Sequence, residues 1–90
     1  MPAHQPPGRI HGRVVDAATG EPVADASIRI HDELAVVDLQ TTNRRGEFMS
    51  RLLFAGTYAV EVQHGDRTAR VDDVVVRLAE TTRVEIRLPG

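Results

Sequence analysis

Histidines and acidic residues are the candidate metal ligands in this sequence. His11 and His31 alternate with apolar neighbours, so each is expected on the outward face of a strand. With Asp32 or Glu33 as a third ligand, two imidazoles on neighbouring strands could hold zinc, which binds imidazole and carboxylate groups. The chain lacks the H-x-H and H-E-x-x-H spacings, and surface histidines without a special role are the simpler interpretation. We therefore predict no metal site and no cofactor.

Nucleophilic catalysis has few residues to draw on in this chain. Cysteine is absent and all eleven basic residues are arginine, so neither a thiolate nor a lysine Schiff base can form. Ser27 and Ser50 are the two serines, and neither lies in a G-x-S-x-G turn. We predict that the protein is not an enzyme.

The stretch "DAATGEP" contains two carboxylates, Asp16 and Glu21. Calcium requires six or more oxygen ligands, which two neighbouring carboxylates do not supply. A turn is the simpler interpretation, because an aspartate can accept hydrogen bonds from the backbone N–H groups that follow it. Gly20 then supplies a positive φ, and Pro22 stiffens the exit from the turn.

Arginines are the candidate residues for binding a partner. Five of them fall on predicted outward strand faces: Arg9, Arg13, Arg29, Arg83 and Arg87. If the first, second and seventh strands share a sheet, these side chains form a stripe, in which we single out Arg13, Arg29 and Arg87 as possible interaction residues. Acidic residues such as Glu85 lie among them, so cross-strand charge pairing on a solvated face is the alternative.

All three aromatic residues lie within eleven positions: Phe48, Phe54 and Tyr58. Phe48 and Tyr58 are predicted to point into a core, where the tyrosine hydroxyl would need a hydrogen-bond partner. Phe54 lies in the loop "LLFAG" and falls outside the inward alternation. It is therefore the aromatic candidate for contacting a carbohydrate or a peptide.

Strands must position these residues, because the apolar pattern repeats every second position. Four segments alternate in this way: "RIHGRVV", "DASIRIH", "TYAVEV" and "TTRVEIRL". Three more strands are predicted over residues 35–41, 47–52 and 68–77, the last bent near Asp72 and Asp73. A short helix near residues 71–78 is the alternative there. Seven short strands between regular turns predict an antiparallel β-sandwich.

Composition agrees with one all-β domain. Twelve Val, four Ile and seven Thr favour strands. Residues 1–7 are predicted to be a Pro-rich tail or tether, and residues 8–90 a single domain. A net charge of −2 gives no general attraction to nucleic acid. No apolar run is long enough for membrane insertion, and no signal peptide is visible at the N-terminus.

The order of several short motifs resembles one family. "GRVVDAATGEPVADASIRI" (residues 12–30), "TTNRRGEF" (41–48), "LFAGTYAVEV" (53–62) and "VEIRL" (84–88) are similar to the carboxypeptidase regulatory-like domains. The resemblance implies a seven-stranded, Greek-key, transthyretin-like (prealbumin-like) β-sandwich. It also implies an accessory module. The family is often extracellular or periplasmic, but no signal peptide is visible here, so the compartment of this chain stays unknown. The family offers no shared catalytic residues to carry over.

The sequence thus predicts a non-catalytic accessory module for protein–protein interaction or structural stabilisation. Its partner is expected to be another protein or a second copy, bound through exposed edge strands. The alternative is a carbohydrate- or peptide-binding module that uses Phe54. A remote alternative is an enzyme like the 5-hydroxyisourate hydrolases, which share the transthyretin-like fold. Their C-terminal Y-R-G-S motif is absent, since this chain ends "EIRLPG".

Overall fold

Seven β-strands make up the computed structural model, which describes residues 6–89. Most of the predicted Pro-rich tail, residues 1–5, lies outside this range. The strands are β1 (Arg9–Asp16), β2 (Ser27–His31), β3 (Val36–Thr41), β4 (Glu47–Met49), β5 (Gly56–His64), β6 (Arg67–Val76) and β7 (Thr81–Leu88). No helix occurs among the described residues, so the helical alternative near residues 71–78 is wrong.

The strands form two sheets, with the orders β4-β1-β7 and β3-β2-β5-β6. This confirms the predicted all-β sandwich of seven strands. One pair departs from the purely antiparallel arrangement: β1 and β7 run parallel from Arg9↔Thr81 to Asp16↔Leu88. Alternating side chains predict which residues face the core but carry no information on the direction of a neighbouring strand. The predicted Greek-key connectivity stays a prediction.

Two strands differ from their predicted form for local reasons. β4 ends at Met49 instead of Leu52. The Ser50 hydroxyl oxygen there accepts the Ile10 N–H at 2.8 Å, where a backbone carbonyl would otherwise continue the ladder. β6 bends near Asp72 and Asp73, as predicted. Its register with β5 shifts at this point, and Asp73 has a φ of 56°, which together mark a bulge.

The core lies between the two sheets and is mostly aliphatic. Ile10, Val14, Ile28, Ile30, Val60, Val62, Ile86 and Leu88 are at most 1% exposed. Phe48 pairs with Gly12 across β4 and β1, and its ring covers the glycine so closely that a Cβ there would overlap it. Phe48 and Tyr58 are both buried, which confirms their predicted place in the core.

The sandwich has two ends with different loops. We call one the Phe54 end, which carries the β2–β3 loop (residues 32–35), the β4–β5 loop (50–55) and the β6–β7 loop (77–80). The opposite end carries the β1–β2 loop (17–26), the β3–β4 turn (42–46) and the β5–β6 turn (65–66). The two ends differ in how much apolar surface they expose.

Candidate functional site

Phe54 is the most exposed aromatic side chain of the described residues, with 81% of its surface accessible. The loop that carries it is held from below by Tyr58, whose hydroxyl donates a hydrogen bond of 2.6 Å to the Phe54 carbonyl oxygen. Tyr58 itself is 8% exposed and belongs to the core cluster. The buried aromatic therefore fixes the backbone of the exposed one.

The β2–β3 loop presents a second apolar side chain beside Phe54. Oδ1 of Asp32 accepts the N–H groups of Leu34 at 2.8 Å and Ala35 at 2.9 Å, which closes a tight turn. The backbone N–H of Asp32 also donates to the Ala35 carbonyl. Leu34 stands at the tip of this turn and is 93% exposed. Sequence reasoning missed Leu34, although "HDEL" contains an aspartate at a position that favours such a turn.

Two shallow grooves of about 420 Å³ each border Phe54. One groove is lined by Glu33, Leu34 and residues 55–57, and the other by Val37, Arg51, Leu52 and Leu53. Asp32, Phe54 and Tyr58 line both. We call the exposed side chains of Leu34, Leu52 and Phe54 the apolar end patch.

Exposed apolar side chains are unevenly distributed between the two ends. Leu34, Leu52, Phe54 and Leu78 lie in loops of the Phe54 end and are 45–93% exposed. Within residues 6–89, the loops of the opposite end expose no large apolar side chain. Grouped apolar side chains at a surface are typical of an interaction site, whereas single scattered ones are not.

Charge beside Phe54 differs between the two grooves: Asp32 and Glu33 line one, whereas Asp32 and Arg51 line the other. Hydrogen bonds from the Leu34 and Ala35 N–H groups lower the pKa of Asp32, so its carboxylate stays ionised at neutral pH. Burial raises the pKa of Tyr58, and the nearby charge of Asp32 raises it further, so the phenol stays protonated and can donate to Phe54. A third depression adjoins the grooves and is lined partly by Asp32, Glu33, Asp72 and Asp73.

The predicted arginine stripe does not form as a single surface. Arg13 and Arg87 lie on the β4-β1-β7 sheet, whereas Arg29 lies on β2 in the other sheet. Glu47 and Glu85 are the cross-strand neighbours of Arg13 on either side, so charges alternate on this face. The role of Arg13, Arg29 and Arg87 in binding a partner stays a prediction, now for two separate faces.

The structure separates the two histidines considered for zinc. Nε2 of His11 lies 3.5 Å from Glu47 in one sheet. Nε2 of His31 lies 2.8 Å from Glu61 in the other sheet, although the two groups do not meet in hydrogen-bond geometry. Among residues 6–89, no group of three or more potential metal ligands comes together.

The turn predicted at Asp16 is present. Oδ1 accepts the N–H groups of Ala18 at 2.8 Å and Thr19 at 3.1 Å, and Gly20 has a φ of 76°. Oδ2 accepts a 2.8 Å hydrogen bond from Arg67, a contact that links the two sheets. The hydrogen bond from Arg67 is the largest cause of a lowered pKa of Asp16, and those from Ala18 and Thr19 lower it further. The aspartate therefore has a structural role.

Comparison with known families explains the order of the strands and motifs. The model of the carboxypeptidase regulatory-like domain matches residues 9–89, which is nearly the whole chain. The chain belongs to this family. In a comparison with curated proteins, none matches this chain significantly. Within residues 6–89 the domain has no helix that is long and apolar enough to cross a membrane.

Three solved structures illustrate what this chain is similar to. A candidate carbohydrate-binding protein from Bacteroides uniformis is 25% identical, with a TM-score of 0.67 over 90% of this chain and 41% of that one. The 5-hydroxyisourate hydrolase of Klebsiella pneumoniae is 16% identical, with a TM-score of 0.64 over 87% and 90%. A chain of a cohesin–X-dockerin complex from Acetivibrio cellulolyticus is 18% identical, with a TM-score of 0.60 over 88% and 56%.

Coverage and sequence identity determine what these similarities show about this domain. The domain spans less than half of the Bacteroides protein and just over half of the cohesin–X-dockerin chain. The hydrolase match extends over most of both chains but, at 16% identity, concerns the transthyretin-like fold alone. The family model thus shows the family, and the neighbours that are less than 25% identical show the fold alone.

Proposed function

We propose that this domain is a non-catalytic accessory module that binds a protein partner through the apolar end patch. The observation that carries the proposal is the exposed Phe54 ring on a loop that the Tyr58 hydroxyl fixes at 2.6 Å. An exposed aromatic on a rigid backbone loses little conformational entropy when it binds. Aromatic side chains, Phe among them, are also enriched at protein interfaces.

Features of the edge strands argue against binding by pairing of a partner strand with a sheet edge, and so favour the apolar end patch. Asp38 on the edge strand β3 pairs with the buried Ile30, and its carboxylate accepts the N–H groups of Leu39 at 2.9 Å and Arg51 at 2.8 Å. An inward-pointing charge on an edge strand discourages pairing with another chain. β4 is only three residues long. Self-association through edge strands is therefore the weaker form of the proposal.

The other two edges lie against each other. β6 and β7 end their respective sheets on the same side of the sandwich, and the Thr82 hydroxyl donates a 2.6 Å hydrogen bond to the Val75 carbonyl. The carbonyl of Val75 on β6 is therefore already bound by a side chain of β7. A partner strand would have to displace this contact before it could extend either sheet there.

A carbohydrate ligand at the same patch is the second candidate. The similarity to a candidate carbohydrate-binding protein from Bacteroides uniformis motivates it. Phe54 offers an apolar ring face, and Asp32 and Glu33 beside it offer carboxylate oxygens that can accept sugar hydroxyls. The grooves are shallow, which suits a surface-bound chain better than an enclosed monosaccharide.

A selection experiment tests the proposal. The immobilised domain is used to select binders from a random dodecapeptide display library, alongside the variants Phe54→Ser and Leu39→Ser. Leu39 is 66% exposed on β3 and lies outside the patch, so it matches Phe54 in exposure. We expect the wild type and Leu39→Ser to enrich the same peptides and Phe54→Ser to lose them.

The same three proteins on a glycan array test the second candidate. Glycan binding that Phe54→Ser loses, with no peptide enrichment, would replace the protein partner with a carbohydrate. Arg13→Glu, Arg29→Glu and Arg87→Glu, tested singly on the selected peptides, show whether either arginine-bearing face contributes. Unchanged affinity in all three would remove the arginines from the binding surface.

A further inference from the structure

We infer that the segment bound at the apolar end patch carries a basic residue, arginine or lysine, next to its apolar anchor. This inference rests on the proposed function and adds the chemistry of the partner. It is carried by the fixed carboxylate of Asp32, which lines both grooves beside Phe54. In the groove that Asp32 shares with Glu33 and Leu34, a side chain that packs on Phe54 therefore lies near negative charge, whereas Arg51 lines the other groove.

The carboxylate of Asp32 is fixed in place through one of its two oxygens. Its Oδ1 accepts two backbone N–H groups of the β2–β3 loop, which fixes the side chain in place. Both of these N–H groups bind Oδ1, so neither occupies Oδ2, the other oxygen of the carboxylate. A carboxylate that is already oriented gains more from a cationic partner, because it need not be ordered on binding.

On the Glu33 side of Phe54, neighbouring carboxylates strengthen the negative potential. Glu33 lines one groove with Asp32, and Asp72 and Asp73 line the adjoining depression. Arg70 is the arginine of that depression, and it already lies 2.8 Å from Asp72 and 3.6 Å from Glu61. An acidic partner segment would be repelled here, whereas a basic one is attracted.

The spacing of an extended peptide fits this arrangement. Residues in an extended chain advance by about 3.3 Å each, so a side chain one or two positions from the anchor reaches a short distance along the groove. Asp32, Glu33, Leu34 and Phe54 line one groove together, so anchor and charge are neighbours. Arginine has a further advantage, because its guanidinium group packs against aromatic faces such as that of Phe54.

The test uses the dodecapeptides that the wild-type domain enriches. Their affinities are measured at 50 mM and 500 mM NaCl for the wild type, for the double variant Asp32→Asn/Glu33→Gln, and for the control Glu21→Gln/Asp66→Asn. The control removes the same charge from loops of the opposite end. Asparagine at position 32 keeps a side-chain oxygen for the turn, so the loop is retained while the charge is lost.

We expect enriched peptides to carry arginine or lysine within two positions of an apolar residue. They should bind Asp32→Asn/Glu33→Gln about threefold to tenfold more weakly at 50 mM NaCl, with little difference at 500 mM and none for the control. Two results would overturn the inference and leave the proposed function standing. In the first, the peptides that no longer bind Phe54→Ser are neutral or acidic; in the second, they bind the double variant with unchanged affinity. Absence of any enriched peptide would overturn both.

Discussion

The hydroxyl of Tyr58 donates a hydrogen bond of 2.6 Å to the carbonyl oxygen of Phe54, four residues earlier in the chain. One aromatic is buried in the core and the other is exposed at the end of the sandwich. The core thus determines where the exposed ring is presented. This relationship connects the stability of the fold to the proposed binding surface.

Replacing Tyr58 with phenylalanine should destabilise the domain by about 0.5–1.5 kcal/mol, because one hydrogen bond is lost while the ring stays packed. Chemical denaturation measures the change. The variant should also bind the selected peptides more weakly, since the loop that carries Phe54 loses its anchor. Unchanged stability together with unchanged binding would show that the hydroxyl does not hold the loop.

Replacing Gly12 with alanine should destabilise the domain by about 1–3 kcal/mol, because the added Cβ overlaps the Phe48 ring and the core must shift. Phe48→Leu should reduce this penalty, so the double variant is expected to be more stable than the sum of the two single changes predicts. Thermal or chemical denaturation of all four proteins gives the coupling. Strict additivity would contradict close packing of the ring on Gly12.

Thr42 is 2% exposed, and its hydroxyl connects two loop segments. It donates to the Val23 carbonyl at 2.7 Å and accepts the Ala26 N–H at 2.9 Å. Thr42→Val should cost about 1–3 kcal/mol for each buried group left unpaired, whereas Thr42→Ser keeps both bonds and should cost less. Equal destabilisation by serine and valine, measured by denaturation, would argue against this role.

Asp16 should make the stability of the domain depend on acid pH. Its pKa is lowered in the folded state by Arg67 and two backbone N–H groups, so its contribution is fully present above the unfolded pKa of about 3.9. This contribution is lost as pH falls through the lower folded pKa. Asp16→Asn keeps the turn but loses the charge. The difference in free energy of unfolding between the wild type and Asp16→Asn, measured by denaturation from pH 7 to 2, should therefore decrease below about pH 4. A constant gap would contradict the ion pair.

Much of the fold was predictable because side-chain alternation reports directly on the core. Ile28 and Ile30 point inward and Arg29 outward, as their spacing indicates. The sequence does not show which strands are neighbours, since pairing depends on long-range contacts. The stripe that joins Arg29 to Arg13 therefore required the assumption that β1, β2 and β7 share a sheet, and this assumption is wrong because β2 lies in the other sheet.

The candidate site was predictable only in part. Phe54 departs from the inward alternation, and this local signal made it the aromatic candidate for binding. Leu34 needed the turn around Asp32, and the contact of Asp16 with Arg67 joins residues 51 positions apart. The aspartate in "HDEL" is a local signal for the first, whereas the second, which lies outside the candidate site, depends on how the two sheets come together.

The most direct test of the central claim is the affinity of the library-selected peptides for two serine variants, measured by calorimetry. Phe54→Ser should weaken binding by at least about tenfold, as expected for an aromatic anchor at an interface. Leu39→Ser should bind like the wild type. Equal affinities of wild type, Phe54→Ser and Leu39→Ser would contradict the claim that the apolar end patch is the binding surface of this domain.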